Sequence, residues 1–300
     1  MTDDLADRVW QSLDREVAPE VEQFAEKLGI EHSAQSVLFY GSNLRTGSLD
    51  GVLDFYILLP GAQIERIWPR IGYREYAIGG AVLRAKIAVM SLEKFHAAAA
   101  GETRDTTIWT RFVQPATLVY RKDMKAELAT AHAIAAAAMT ASRMAAALGP
   151  HTGTEQAFWR ALFRETYRSE FRIEKPGREN AILELNADHF DGLLAAAWDA
   201  QSLPFRRADR LMTPILTSGE KAQIASYWSA RRRLGKPLNI MRLAKAALTF
   251  DGAADYAAWK LERHTGFALE VTRFRREHPL LAMPGAGLEL WHRKRRSNQR

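Results

Sequence analysis

Phe39-Tyr40-Gly41-Ser42-Asn43-Leu44-Arg45 and, a few residues on, Asp50-Gly51-Val52-Leu53-Asp54-Phe55-Tyr56-Ile57-Leu58 form the stretch whose reading decides the fold. The apolar run Val37-Leu38-Phe39-Tyr40 reads as a buried strand, Gly41-Ser42 as the turn that ends it, and residues 52–59 as a second strand closed by Pro60-Gly61. A strand that passes into a helix through Gly-Ser places bare backbone N–H groups and one hydroxyl at the helix start, which makes a cradle for phosphate. The second strand then carries an aspartate in an otherwise apolar run. Burying that carboxylate is costly unless a cation compensates, so Asp54 asks for a metal ion or a basic partner. The same residues also read as an ordinary Gly-Ser turn beside a strand aspartate paired with Arg84 or Lys86.

Upstream, Leu5, Val9, Leu13, Val17, Val21, Phe24 and Leu28 keep a helical period that stops at Gly29. Downstream, residues 81–90 and 116–121 read as two further strands, with helices near 64–69 and 92–100 between them. In the third strand the two-residue alternation puts Arg84 and Lys86 opposite Leu83, Ala85 and Ile87, while Asp54 shares a face with Tyr56. Lys86 is therefore expected close to Asp54. Residues 1–122 make an α+β or α/β unit, a mixed sheet with flanking helices. Residues 123–205 are expected to be a helical domain of winged-helix type, interrupted by Gly149-Pro150 and by Glu174-Lys175-Pro176-Gly177-Arg178 as a hairpin or wing. Residues 206–300 read as a basic helical C-terminal segment punctuated by Pro237, Pro279 and Pro284-Gly285.

The chain has 300 residues, 47% hydrophobic and 26% charged, which excludes a disordered or fibrous protein and allows about two domains. With no cysteine there is no disulfide, thiolate nucleophile or cysteine-held metal. Residues 201–300 hold 20 Lys+Arg against 8 Asp+Glu, a net charge of +12, and residues 1–200 carry −5. The basic third faces nucleic acid, an anionic membrane, a phosphorylated substrate, or solvent alone. The apolar run at 133–139 is far short of the ~20 residues a membrane-spanning helix needs. The acidic start, Thr2-Asp3-Asp4-Leu5-Ala6-Asp7, is unlike a basic targeting peptide, and a cytoplasmic chain is expected. No His-Glu-x-x-His pattern or Walker loop is present, so no zinc site is assigned.

The order strand, Gly-Ser, helix, strand with aspartate resembles the nucleotidyltransferase fold. Most members carry two acidic residues one apart, and here the partner position is Val52, with Asp50 as a weaker second ligand. The chain is similar, over most of its length, to a branch with one aspartate in this strand, the mitochondrial-type phosphatidate cytidylyltransferases, or mitochondrial translocator maintenance proteins. Tyr40-Gly41-Ser42 and Leu53-Asp54-Phe55 resemble that family's first two signatures, and Lys86-Ile87-Ala88-Val89-Met90-Ser91 its lysine-bearing strand. Trp109-Thr110-Arg111-Phe112-Val113-Gln114-Pro115 resembles its Arg-x-x-x-Pro segment, with Gln114 where the family has Lys. Tyr167-Arg168-Ser169-Glu170-Phe171-Arg172 resembles its Tyr-x-Gly-Asp-Phe-Arg signature, with Ser169 and Glu170 as departures. Arg242-Leu243-Ala244-Lys245-Ala246-Ala247-Leu248-Thr249 resembles its last segment.

The resemblance implies transfer of a cytidylyl group from CTP to phosphatidic acid, forming CDP-diacylglycerol and pyrophosphate. It implies Mg²⁺ on Asp54, with Asp50 as a weak second ligand, and triphosphate contacts from Gly41 and Ser42. Lys86 and Arg111 would be catalytic cations, and Arg172 and Lys245 weaker ligands of a substrate phosphate. A phosphomonoester is largely dianionic near neutral pH, so the nucleophile needs no general base. The tail Leu288-Glu289-Leu290-Trp291-His292-Arg293-Lys294-Arg295-Arg296 has the composition of an interfacial anchor, which would place the enzyme on the inner face of an anionic membrane. No nucleic acid is expected as a partner. The alternatives are a nucleotidyltransferase with another acceptor (sugar phosphate, protein or RNA) and an inactive nucleotide- or nucleic-acid-binding relative.

Overall fold

The computed structural model describes residues 2–169, 178–249, 251–265 and 271–274. Helices α1 (Asp3–Leu13) and α2 (Pro19–Glu31) lead into strand β1 (Ser36–Tyr40), the short helix α3 (Ser42–Thr46) and strand β2 (Leu53–Leu59). Strands β3 (Arg70–Ile78) and β4 (Ala81–Ser91) follow, then α4 (Leu92–Ala99), α5 (Thr107–Phe112) and β5 (Ala116–Arg121). The five strands form one mixed sheet in the order β3-β4-β2-β1-β5. β2 and β4 are parallel, and the other neighbouring pairs are antiparallel.

The expected helix at 64–69 is absent. Residues 60–69 are irregular, with a cis peptide at Trp68–Pro69, and β3 follows directly. Pro69 pushes Trp68 away from the helical region and works against a helix that runs up to it. The loop's polar groups are met from elsewhere: Gln63 Oε1 accepts from Ser91 N at 2.8 Å, and the Ile67 carbonyl accepts from Lys245 Nζ. β3 was legible only through Gly79-Gly80, which takes positive φ at both positions and turns the chain into β4 as a hairpin.

Alternation along the strands sorts the core into two layers. Phe39, Phe55, Ile57 and Ile87 pack under α2, whose Val21, Phe24, Ala25 and Leu28 recur at helical spacing. Leu38, Tyr56, Leu58, Ala88 and Met90 face the helices on the other side. Those helices are α1, α4, α5 and the long α6 (Met124–Leu148), which Asp123 caps by accepting from Ala126 N at 2.8 Å. Alanines along α6 are buried and let its neighbours approach closely.

Beyond α6 come α7 (Glu155–Ser169), α8 (Arg178–Leu185), α9 (Ala187–Phe190) and α10 (Leu193–Ala200), then a small hairpin of β6 (Phe205–Ala208) and β7 (Leu211–Pro214). Helices α11 (Ser218–Thr249) and α12 (Ala253–Thr265) follow. One continuous cluster of buried side chains reaches from Leu5 through Leu38 and Trp159 to Trp228, across the expected boundaries at 122/123 and 205/206.

Two further expectations are corrected. Pro237 does not interrupt the chain but lies inside α11. Packing holds the helix together there: a Cβ on the nearby Gly235 would overlap the Ser169 carbonyl, so α11 crosses α7 backbone to backbone. A hairpin at 205–214 crosses the expected boundary at 205/206, where the chain was expected to be helical from residue 206. The wing anticipated at 174–178 lies outside the described residues up to residue 177, and Arg178 opens α8. No helix among the described residues is long and apolar enough to cross a membrane.

Candidate active site

One rung of the sheet carries the polar residues singled out in the sequence. Asp54 pairs with Tyr40 on β1 and with Lys86 on β4, and Lys86 pairs in turn with Tyr73 on β3. Two residues further along, the same face is apolar: Leu38, Tyr56 and Ala88. The polar rung therefore sits at the rim of the core, where β1 ends and β2 begins. Period two in each strand made the face readable, and the register between strands made the two residues neighbours.

Gly41 follows Tyr40 and has φ +92, ψ −159, a conformation that favours glycine. Its missing side chain is needed twice, because a Cβ there would stand 2.9 Å from Oδ2 of Asp54. Ser42 opens α3 with an exposed side chain whose hydroxyl reaches only Asn43 Oδ1, at 3.4 Å. Asn43, which sequence reasoning passed over, is buried and donates from Nδ2 to the carbonyls of Ser48 and Asp50, both at 2.9 Å. It fastens the loop between α3 and β2, so its signal was its place directly after Gly-Ser.

Asp54 is half-buried, and burial pushes its pKa up; Lys86 and then Arg111 pull it back down. Lys86 touches solvent, yet the protein packed around it lowers its pKa, with Asp54 opposing that shift and Arg111 adding to it. Among the described residues no direct ion pair closes between Asp54 and either cation. Arg84, the other partner considered, pairs instead with Glu75 at 3.2 Å. A partly buried carboxylate whose pKa is raised and a solvent-exposed lysine whose pKa is lowered by the protein around it thus share one rung without neutralising each other by contact.

Arg111 comes from the last turn of α5, with its guanidinium 5.5 Å from the centre of the Tyr40 ring. Burial raises the Tyr40 hydroxyl to about 12, so the ring stays neutral and serves as an apolar shelf beneath the guanidinium. The segment before α5 is held by α11. Asp105 is buried and accepts from Thr107 N at 3.2 Å, and Arg242 Nη1 closes an ion pair with it at 2.7 Å while lying over Trp68 at 4.8 Å. Arg231 donates to the carbonyls of Gly101 and Thr103. Neither arginine was singled out for this role, because nothing in the sequence marks a pairing more than a hundred residues long.

Lys245 reaches the Ile67 carbonyl in the loop before β3, on the same helix as Arg242. Asp50 is exposed on the loop that Asn43 fastens. Arg172 and the tail at 288–296 lie outside the described residues. A cavity of about 320 Å³ lies away from this rung, lined by α6 and α11 together with Gly101 and Gln201.

The donor set limits what the rung could hold. Among the described residues no three Asp, Glu or His side chains cluster as a metal cage. A lone divalent ion beside Asp54 would feel Lys86 and Arg111. A magnesium ion already bridged to phosphates fits better, since Mg²⁺ is commonly bound by one or two carboxylates with phosphates and water supplying the rest. No protein-family model matches the chain, and no curated protein sequence matches it.

Proposed function

We propose that the chain is a nucleotidyltransferase that moves a cytidylyl group from CTP to the phosphate of a lipid such as phosphatidic acid, with Asp54, Lys86 and Arg111 at the reacting phosphates. The observation that carries the reading is the cross-strand pair Asp54 and Lys86 beside a glycine loop whose backbone closes on the Asp54 carboxylate. A mixed sheet presenting one carboxylate and two cations at the end of a strand–Gly-Ser–helix unit suits a polyanion whose charge must be divided. The base and the lipid acceptor rest on the motif resemblance.

In this reading an oxygen of the acceptor phosphate attacks the α-phosphorus of CTP, the bond from that phosphorus to its bridging oxygen breaks, and pyrophosphate leaves with the electron pair. Lys86 and Arg111 neutralise the charge that gathers on the transferring and leaving phosphates. Gly41 lets the backbone approach without a side chain, and the Ser42 hydroxyl would exchange its long bond to Asn43 Oδ1 for a phosphate oxygen. Asp54 would hold the magnesium ion, which supplies charge neutralisation across the triphosphate. Tyr40 and Tyr56 close the floor against water.

The single carboxylate, with Val52 where a second acid would stand, favours one other reading, a relative that binds nucleotide without turning it over. Purified protein incubated with each labelled nucleoside triphosphate, magnesium and phosphatidic acid micelles separates the two. Pyrophosphate release together with a labelled lipid, for CTP above the others, supports the transferase. Nucleotide binding with no pyrophosphate supports the inactive relative, and pyrophosphate with an unlabelled lipid points to another acceptor.

A further inference from the structure

Helix α12 is built onto the sheet beside the Asp54 rung. Asp251 bridges to Gly72 in strand fashion, its carbonyl accepting from Tyr73 N at 2.7 Å and its carboxylate pairing with Arg74 at 2.8 Å. Gly252 has φ +81, and a Cβ on it would come within 2.7 Å of the Tyr73 carbonyl, so the chain turns into α12 pressed against β3. Tyr256 then meets Tyr73 edge to face at 5.2 Å, and Trp259 lies over Arg84 at 5.7 Å. Tyr73 and Arg84 share a face with Lys86 by register, so α12 covers the sheet on the side that carries Asp54.

One turn beyond Trp259, Arg263 rests its guanidinium 5.4 Å from the same indole ring. Its Nη1 stands 3.4 Å from where a Cβ on Gly51 would be, and Gly51 itself has φ +87. Arg263 is exposed and makes no ion pair or hydrogen bond among the described residues. Gly51 lies three residues before Asp54, at most about 10 Å along the chain. A guanidinium steadied by an aromatic face and left without an anion has the makings of a phosphate ligand.

We propose that Arg263, carried by α12, binds the polyphosphate of the nucleotide from the side opposite Arg111, so that the triphosphate lies between two arginines with Lys86 and Asp54 beneath it. The proposal rests on the nucleotidyltransferase reading and adds to it a residue and a wall that the motifs do not contain. Trp259 positions the guanidinium, and Gly51 leaves it room to reach the loop.

Titration calorimetry of the full chain with inorganic tripolyphosphate, with CTP and with cytidine tests this in the wild type, Arg263→Gln and Lys260→Gln. Lys260 is the control, an exposed cation on the same helix that lies over Tyr256 at 5.9 Å. Arg263→Gln should weaken tripolyphosphate and CTP each about tenfold, the scale of a charged hydrogen bond. Cytidine binding should not change, and Lys260→Gln should cost less than about twofold. Wild-type affinity for both anions in Arg263→Gln overturns the proposal and leaves the nucleotidyltransferase reading standing. Equal losses in the two variants also overturn it, as general surface charge. A wild-type chain that binds neither CTP nor tripolyphosphate overturns both readings together.

Discussion

Gly41 and Asp54 are packed backbone against carboxylate: a Cβ on Gly41 would stand 2.9 Å from Oδ2 of Asp54. The first strand must end in a conformation open to glycine, with φ +92, for the loop to pass over the carboxylate at all. Gly41→Ala therefore meets two penalties, a residue forced to positive φ and a contact with Asp54 that has to give way. The expected cost is about 1–3 kcal/mol of stability, with nucleotide affinity falling as well. Denaturant unfolding checks the first part and CTP titration the second. Wild-type values for both would show that the loop adapts without loss.

Asp54→Asn should leave the fold intact and reduce magnesium-dependent turnover at least about 10²–10³-fold, the scale of losing one transition-state partner, whereas Asp50→Asn should do much less. The same variant should be more stable than the wild type at neutral pH. Burial raises the folded-state pKa of Asp54 above its ordinary 3.8. The protonated form is thus the one the fold prefers, and the preference costs stability once pH rises through the folded pKa. Melting curves from pH 7 downwards should show the two proteins converging as pH approaches 3.8. A variant less stable than the wild type at pH 7 would contradict this reading of the carboxylate.

Lys86→Met tests the cation on the same rung. Its pKa is lowered by the protein around it, so the alkaline limb of a pH–rate profile should fall earlier than the ordinary lysine value of 10.5. The variant should lose that limb along with most of its turnover. An unchanged alkaline limb at the residual rate would assign the titration to another group.

Arg242→Ala and Asp105→Ala open the ion pair that ties α11 to the segment before α5, and Asp105→Ala leaves a largely buried guanidinium unpaired. Each should cost about 3 kcal/mol, and the double variant should cost clearly less than the sum. CTP affinity should fall with them, because Arg111 sits at the end of the segment they hold. Additive losses in the double-mutant cycle would show that the two side chains do not act on each other.

His189 gives the fold a sensitivity to mild acid. Its Nε2 donates to the Val113 carbonyl at 2.9 Å, just after α5, and burial together with Arg8 and Arg15 holds its pKa below 6.5. The unfolded chain takes up the proton first, so the stability from neutral His189 is complete above pH 6.5 and is lost as pH falls through the folded pKa. The melting temperature should drop below pH 6.5, and His189→Gln should flatten that part of the curve. The same slope in both proteins would place the titration elsewhere.

By itself the sequence determined what depends on neighbours in the chain. The run from Phe39 to Leu58 carries its own strand, turn and strand signals, and the two-residue period of β2 and β4 put Asp54 and Lys86 on definable faces. What lay between strands was decided by tertiary structure. An irregular loop stands where a helix was expected at 64–69, settled by Gln63 and Lys245, whose partners Ser91 and Ile67 lie 28 and 178 residues away, and β3 follows it because Gly79-Gly80 closes a hairpin. Pro237 stayed inside α11 because packing against α7 outweighs one missing N–H. The neighbourhood of Arg111, Arg242 and Arg263 was invisible for the same reason: a local pattern records which side of an element is apolar. It does not record which distant element will cover that side, since that choice is made by shape and charge only once the chain has closed upon itself.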